Sequence, residues 1–192
     1  MPVIPFYRKT RLICIKSTGT EQNPKYRRTE MKTAHLMKKM IAYSGGNLHD
    51  LTHLIQVWTY AKTIGELEHL DEETQYILEA AAITHDIACP LCREKYGSAD
   101  GKRQEEEGPE LVRDFLRDTD MTAAQIDRVS FLVGHHHTLN PIEGPDHQIL
   151  IEADYIVNAA EKGYSKQNIE RFIHENMKTA NGKAIAKSVF CL

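Results

Sequence analysis

No apolar run in this 192-residue sequence approaches the roughly 20 residues that a membrane helix needs, and the N-terminus lacks an apolar stretch followed by a small-residue cleavage site. A membrane protein is not expected, and a cytoplasmic location is the default. Cysteine is sparse: Cys14, Cys89, Cys92 and Cys191 are too few and too scattered for a disulfide framework in a chain of this size, and should be mostly reduced. Glycine-serine and proline-rich linkers are missing, so a single well-buried core is expected. Excess charge is missing too. With a net charge of -3 and a pI near 6.4 there is no bulk attraction to long nucleic acid, so any phosphate recognition must be local.

What is present is ordinary globular composition, 41% hydrophobic and 27% charged. Residues 1–30 stand apart. They carry Arg8, Lys9, Arg11, Lys16, Lys25, Arg27 and Arg28 against Glu21 and Glu30, with three prolines and no helical period. They read as a basic N-terminal extension, either peripheral or disordered, or else as residues upstream of a natural start at Met31. A basic targeting or nucleic-acid arm is a further alternative.

From Met31 onward the pattern is helical. Thr33 to Tyr43 places Leu36, Met37, Met40 and Ile41 on one face, and Ser44-Gly45-Gly46 ends it. Asn47 can cap a helix to about Leu67, and Asp71 one through Ile87, which Pro90 breaks. Residues 93–104 read as a polar, glycine-containing segment, and Glu105 as the start of the next helix. Thr122 and Gln125 form a capping-box pattern for a helix to about Thr138. Gln148–Glu161, Asn168–Met177 and Lys183–Phe190 complete the series. With no convincing hairpin and no repeats, the expected class is all-α, an irregular multi-helix bundle spanning 31–192.

His53, the adjacent His85-Asp86 and Asp154 each interrupt an apolar helical stretch. Imidazoles and carboxylates are costly to bury alone, so four at core-facing positions suggest a shared metal ion. On an ideal helix neighbouring side chains diverge by about 100°, which would keep His85 and Asp86 apart; at a helix end, near Pro90, both can converge. For a lone histidine the commoner explanation is a core residue satisfied by hydrogen bonds.

Three segments carry a resemblance that argues against it here: Asp50-Leu51-Thr52-His53-Leu54-Ile55-Gln56-Val57, Ala82-Ile83-Thr84-His85-Asp86-Ile87-Ala88 and Ile151-Glu152-Ala153-Asp154-Tyr155-Ile156-Val157-Asn158. In this order they resemble the H, HD and D motifs of the HD-domain metal-dependent phosphohydrolase superfamily, over about residues 35–165. The resemblance implies that His53, His85, Asp86 and Asp154 bind a divalent metal, commonly Mn, Mg, Fe or Zn, in a bundle of at least five helices. It also implies hydrolysis of a phosphoester by metal-activated hydroxide, with Asp86 in the catalytic set. Relatives commonly dimerise, so a homodimer is compatible with it.

Other features bear on how many ions are held. Superfamily members with two metals carry extra histidines between HD and the final Asp, and His135 and His136 match that placement, while His137 reads as facing solvent or supporting a ligand. Such members often have a histidine where this chain has Gln104-Glu105-Glu106-Glu107-Gly108-Pro109. A glutamate there would be a substitute ligand, or the run is simply an acidic first turn favoured by the helix dipole. His49 shares a face with His53 but falls outside the motif, and Cys89-Pro90-Leu91-Cys92, with no second such pair, reads as two packing thiols rather than a zinc site.

The lysine or glutamate that some relatives place just after HD is absent. Substrate contacts are therefore expected from Arg93, Lys95, Lys102 and Arg103, with Glu94 as general acid. The substrate implied is a small phosphorylated metabolite, a nucleotide by preference. Cyclic or bridged dinucleotide hydrolysis with two ions, and a noncatalytic metal- or nucleotide-binding module, are the alternatives.

Overall fold

The computed structural model describes residues 24–192, with side chains from Lys32 onward. Among them run nine helices and no strand: α1 (Pro24–Tyr43), α2 (Leu48–Leu67), α3 (Glu72–Thr84), α4 (Cys89–Tyr96), α5 (Gly101–Leu116), α6 (Ala123–Val133), α7 (Gly144–Glu161), α8 (Lys166–Glu175) and α9 (Ala180–Phe190). The expected all-α bundle is what forms. Most of the basic extension lies outside the described residues, but helix already begins at Pro24, ahead of the expected start at Thr33.

The bundle is built around α3. Every residue from Tyr76 to Thr84 is buried, and the helix packs against α1, α2, α6 and α7. Ala80, Ala81 and Ala82 have no exposed surface, so neighbouring helices can approach closely on several sides, while Leu78 and Ile83 fill the intervening space. Helix α2 is fixed against α3 by a polar clasp in which buried Glu79 accepts hydrogen bonds from Trp58 Nε1 at 3.0 Å, Gln75 Nε2 at 3.0 Å and Lys62 Nζ at 3.3 Å. Because α2 carries His53 and α3 ends at His85, this clasp also sets the distance between two motif residues.

The helix starts obey local chemistry. Asn47, Asp71 and Thr122 accept hydrogen bonds from first-turn amides as expected, and Thr122 with Gln125 completes the capping box.

Other boundaries differ from the sequence reading, each for a local reason. Pro90 ends no long helix. Its missing N–H suits a first turn, and it opens α4 after a short run of turns. Asp100 accepts from the Arg103 amide and starts α5 at Gly101, so Glu105–Glu107 sit beyond the first turn and the dipole account of them fails. The polar segment 93–104 is therefore mostly helix, with a loop only between α4 and α5. Helix α6 stops at Val133, capped by Gly134, so the three histidines follow the helix instead of riding on it. The last three helices each begin a few residues earlier than expected, α7 behind Pro145 in its first turn.

The C-terminal helix is tied in by a buried carboxylate. Glu152 on α7 accepts from the amides of Lys178 (2.6 Å) and Thr179 (3.0 Å), from the Thr179 hydroxyl and from Gln148 Nε2 (2.8 Å). Replacing Glu152 by Ala leaves these donors, buried Gln148 among them, without their acceptor. The expected loss is about 2–4 kcal/mol of unfolding free energy, read from denaturant melts; a change under about 0.5 kcal/mol would show that water replaces the carboxylate without cost.

Candidate metal centre

Two helix ends and two helix faces meet at one point. The last carbonyls of a helix lack intrahelical partners, and here imidazoles use them. His85 Nδ1–H donates to Ala82 O at 2.9 Å at the end of α3, and His136 Nδ1–H donates to Val133 O at 2.7 Å at the end of α6. From the face of α2, His53 Nδ1–H donates to Glu161 Oε2 at 3.0 Å. With each Nδ1 committed as donor, all three Nε2 lone pairs face the interior, where Asp154 from α7 and Asp86 from the turn after α3 also point.

The spacing is that of groups gathered round a cation. His53 Nε2 lies 3.1 Å from His85 Nε2, 3.2 Å from Asp154 Oδ1 and 3.6 Å from Asp86 Oδ2. His85 Nε2 is 3.7 Å from Asp86 Oδ1 and 3.6 Å from Asp154 Oδ1, and His136 Nε2 is 3.6 Å from Asp86 Oδ1. Atoms that each sit ~2.0–2.2 Å from one first-row ion are ~3.0–3.6 Å from one another.

Gln104 adds a further acceptor. Its amide N donates to Ala99 O at 2.8 Å, which turns Oε1 toward His137 Nε2 at 2.9 Å and His136 Nε2 at 3.3 Å. Buried acceptors so crowded need either protons or a metal between them. The donor set, three imidazoles and two carboxylates, fits a divalent first-row ion. His53, His85 and Asp86 form one group with all donor atoms within 4.8 Å, and Asp86, His136 and His137 form a second.

This stretch of chain matches the family model for the HD domain over residues 46–171. The chain belongs to the HD domain family. The match opens just before α2, ends within α8 and contains all four motif residues. A crystal structure of a predicted HD superfamily hydrolase from an uncultured Thermotogales bacterium superposes with a TM-score of 0.61 at 20% identity, covering 82% of this chain and 84% of that one, a likeness of fold. No curated protein matches the chain.

The HD domain brings together only part of what the sequence pointed to. His53, His85, Asp86 and Asp154 converge, joined by His136. His135 does not: its ring stacks on Phe131 at 4.2 Å, Nδ1 donates to Phe131 O at 2.7 Å, and it faces away from the centre. The residue beside His136 is His137, the one expected to be peripheral, because the chain turns after Gly134 instead of continuing as helix. No glutamate of the 105–107 run reaches the centre. Glu105 accepts from the His137 amide and the Thr138 hydroxyl, Glu106 pairs with Arg103, and Glu107 with Lys95 and Tyr96. Gln104 is the member of that run that faces inward.

A cavity of about 270 Å³ opens onto the centre. Of the expected substrate-contacting residues only Arg93 lines it, ion-paired with Asp50 at the rim. Lys95, Lys102 and Arg103 are spent on surface glutamates or on Tyr96, and Glu94 is exposed on α4 outside the cavity, so the general-acid assignment loses its geometric basis. His49 lies exposed at the rim, and Cys89 is a buried thiol on the wall whose pKa burial pushes up, a packing thiol and not a thiolate. Asn158, Glu161 and Lys162 also line the cavity; the sequence pattern includes Asn158 at the end of the D segment without giving it a role, and Glu161 and Lys162 are missed by it. They follow Asp154 at i+4, i+7 and i+8, the spacing of one helix face, which was the available signal.

In the metal-free protein a proton substitutes for the ion. Burial alone would lower the His53 pKa, but its hydrogen bond to Asp154, the charges of Asp86 and Asp154, and Glu161 together hold it at about 9. Burial likewise opposes ionisation of Asp154 and Asp86, and the surrounding imidazoles outweigh it, so both carboxyls stay well below the usual range. Below pH about 9 a metal must therefore displace the His53 proton. Apparent affinity for Mn²⁺ or Zn²⁺ should rise with pH toward about 9, and titration calorimetry near neutral pH, in buffers of different ionisation enthalpy, should show protons released on binding, from His53 and from His136, whose pKa Asp86 and Asp154 also raise. Buffer-independent heats would contradict this.

Proposed function

We propose that this HD domain is a metal-dependent phosphohydrolase that cleaves a phosphoester of a small phosphorylated metabolite, a nucleotide by preference. The observation that carries the reading is the convergence of imidazole Nε2 atoms and carboxylate oxygens at the floor of a cavity whose rim holds two cations, Arg93 and Lys162. A divalent ion, when bound, supplies Lewis acidity toward a phosphoryl oxygen and makes a nucleophile available from water at neutral pH.

The chain's own residues supply holding and orientation. His53, His85, Asp86 and Asp154 would hold the ion. Glu161 keeps the His53 ring in one tautomer, and Asn158 Nδ2 donates to Asp154 Oδ1 at 2.7 Å, leaving that carboxylate a fixed direction. Lys162 makes no ion pair among the described residues and is placed to meet a phosphate, whereas Arg93 must loosen from Asp50 to do so.

A second reading, with two ions and a cyclic or bridged dinucleotide as substrate, is favoured by one observation: Asp86 belongs to both donor groups, so His136 and His137 can share a second ion with it. Metal content per chain separates the two readings.

The test is metal analysis followed by a phosphoester panel with Mn²⁺, Mg²⁺, Fe²⁺ or Zn²⁺ restored. Asp86→Ala should remove turnover and bound metal together. Lys162→Ala should keep the metal and lower kcat/KM about 10- to 100-fold, the worth of one charge-assisted phosphate contact. Binding of nucleotide without turnover would instead favour a noncatalytic module, and activity unchanged in Asp86→Ala would sink the proposal.

A further inference from the structure

A second cavity, of about 190 Å³, adjoins the first and shares His137, Asp154, Asn158 and Lys162 with it. Its other walls are His136, Tyr155 on α7, Tyr164 in the α7–α8 connection, Phe172 on α8, Leu139 after the histidine run, and Ile151. Three aromatic rings and two aliphatic side chains thus stand beside the polar groups that the two cavities share, and none of these five lines the first cavity.

We propose that this cavity is a subsite for a flat aromatic ring of the substrate, a nucleobase or a ring of that size, and that Tyr164 and Leu139 determine its selectivity. The inference rests on the phosphoester reading above and adds which end of the substrate lies where.

The walls are prepared for such an occupant. Tyr155 and Phe172 stack with centroids 3.4 Å apart and planes 3° from parallel, and the Tyr155 hydroxyl donates to Asn168 Oδ1 at 2.8 Å, so this pair is held in place. Tyr164, 6.0 Å from Tyr155 and tilted by 50°, is 36% exposed, and Leu139 is 44% exposed. Large apolar side chains left in water beside a polar centre are what a recognition pocket for a ring requires. Lys162, common to both cavities, stands where a phosphate attached to that ring would pass from one to the other. Together the two adjoining cavities reach the size of small-molecule sites, which start at roughly 300 Å³.

The experiment compares three probes that share a phosphomonoester: adenosine 5′-monophosphate, ribose 5-phosphate and hexyl phosphate. Equilibrium binding to the full chain, and kcat/KM with restored metal, are measured for wild type, Tyr164→Ala and Leu139→Ala, both at exposed positions where folding should survive. The proposal expects wild type to bind the adenosine phosphate at least tenfold more tightly than ribose 5-phosphate and to prefer it over hexyl phosphate. Either substitution should shrink the first preference about fivefold or more, the scale of one base–aromatic stack. Equal affinity for the adenosine and ribose phosphates overturns the subsite, as does a preference that survives both substitutions. Hexyl phosphate binding as tightly as the nucleotide overturns the ring-specific form. The binding arm decides these outcomes even without turnover, whereas absence of hydrolysis for all three probes with metal present counts against the phosphohydrolase reading alone.

Discussion

The structure turns on electrostatic crowding that it creates and must contain. The Nε2 atoms of His53 and His85 and an oxygen of Asp154 sit within 3.6 Å of one another inside a helical bundle. Acceptors brought so close without a proton or cation repel, and nothing about apolar packing favours their approach. Their positions must therefore be imposed by the surrounding helices, with energy drawn from burial elsewhere. The alanine-rich stretch of α3 from Tyr76 to Thr84, buried throughout, supplies much of that imposition. It allows α2 and α7 to approach closely enough for residues from three helices to meet, and the Glu79 clasp prevents α2 from sliding away. A rigid scaffold of this kind converts hydrophobic stabilisation into a preorganised site, at some cost to overall stability.

Helix termini contribute as much as helix faces. His85 and His136 each satisfy a carbonyl left over at the end of a helix, so the same hydrogen bond completes the backbone and selects the imidazole tautomer. This explains why consecutive residues, His85 and Asp86, can serve one centre although they diverge on a continuous helix. The same logic accounts for His136 and His137, whose rings lie 4.0 Å apart in the turn beyond α6, while His135 remains close enough to the helix to stack on Phe131.

How much of this the sequence revealed follows from the range of the forces involved. The bundle, several caps and the four motif residues were legible because helical period, capping chemistry and the H, HD and D segments are each encoded within a few neighbouring residues. The failures lie where a helix boundary decided the direction of a side chain. The resemblance points to His135 and His136 by placement alone, and the end of α6 at Val133 rather than Thr138 is what turns His137 and not His135 toward the centre, while a start of α5 at Glu105 instead of Gly101 conceals Gln104 behind its acidic neighbours. Gly134 and Asp100 carried the necessary signals. Arg93, Lys95, Lys102 and Arg103 were read by nearness in sequence to HD, but their partners are set by helix packing, and three of the four are claimed by neighbouring glutamates or an aromatic ring. Lys162 lay far from HD in sequence and on the same helical face as Asp154.

The charge balance of the cavity gives an order to events. Asp50, Asp86, Asp100, Asp154 and Glu161 line it against Arg93 and Lys162, and Arg93 is already paired with Asp50. A proton on His53 offsets one of those charges in the metal-free protein, yet the interior remains net negative. A phosphate dianion approaching it would be repelled at a distance where the cavity wall screens poorly. A divalent cation between the imidazoles reverses the sign of the field at the floor without moving any rim residue. On the phosphohydrolase reading, an ion in the metal centre then favours the entry of phosphate, and the sparse basic lining fits a site in which the ion, and not a cluster of lysines and arginines, carries the main attraction for the substrate.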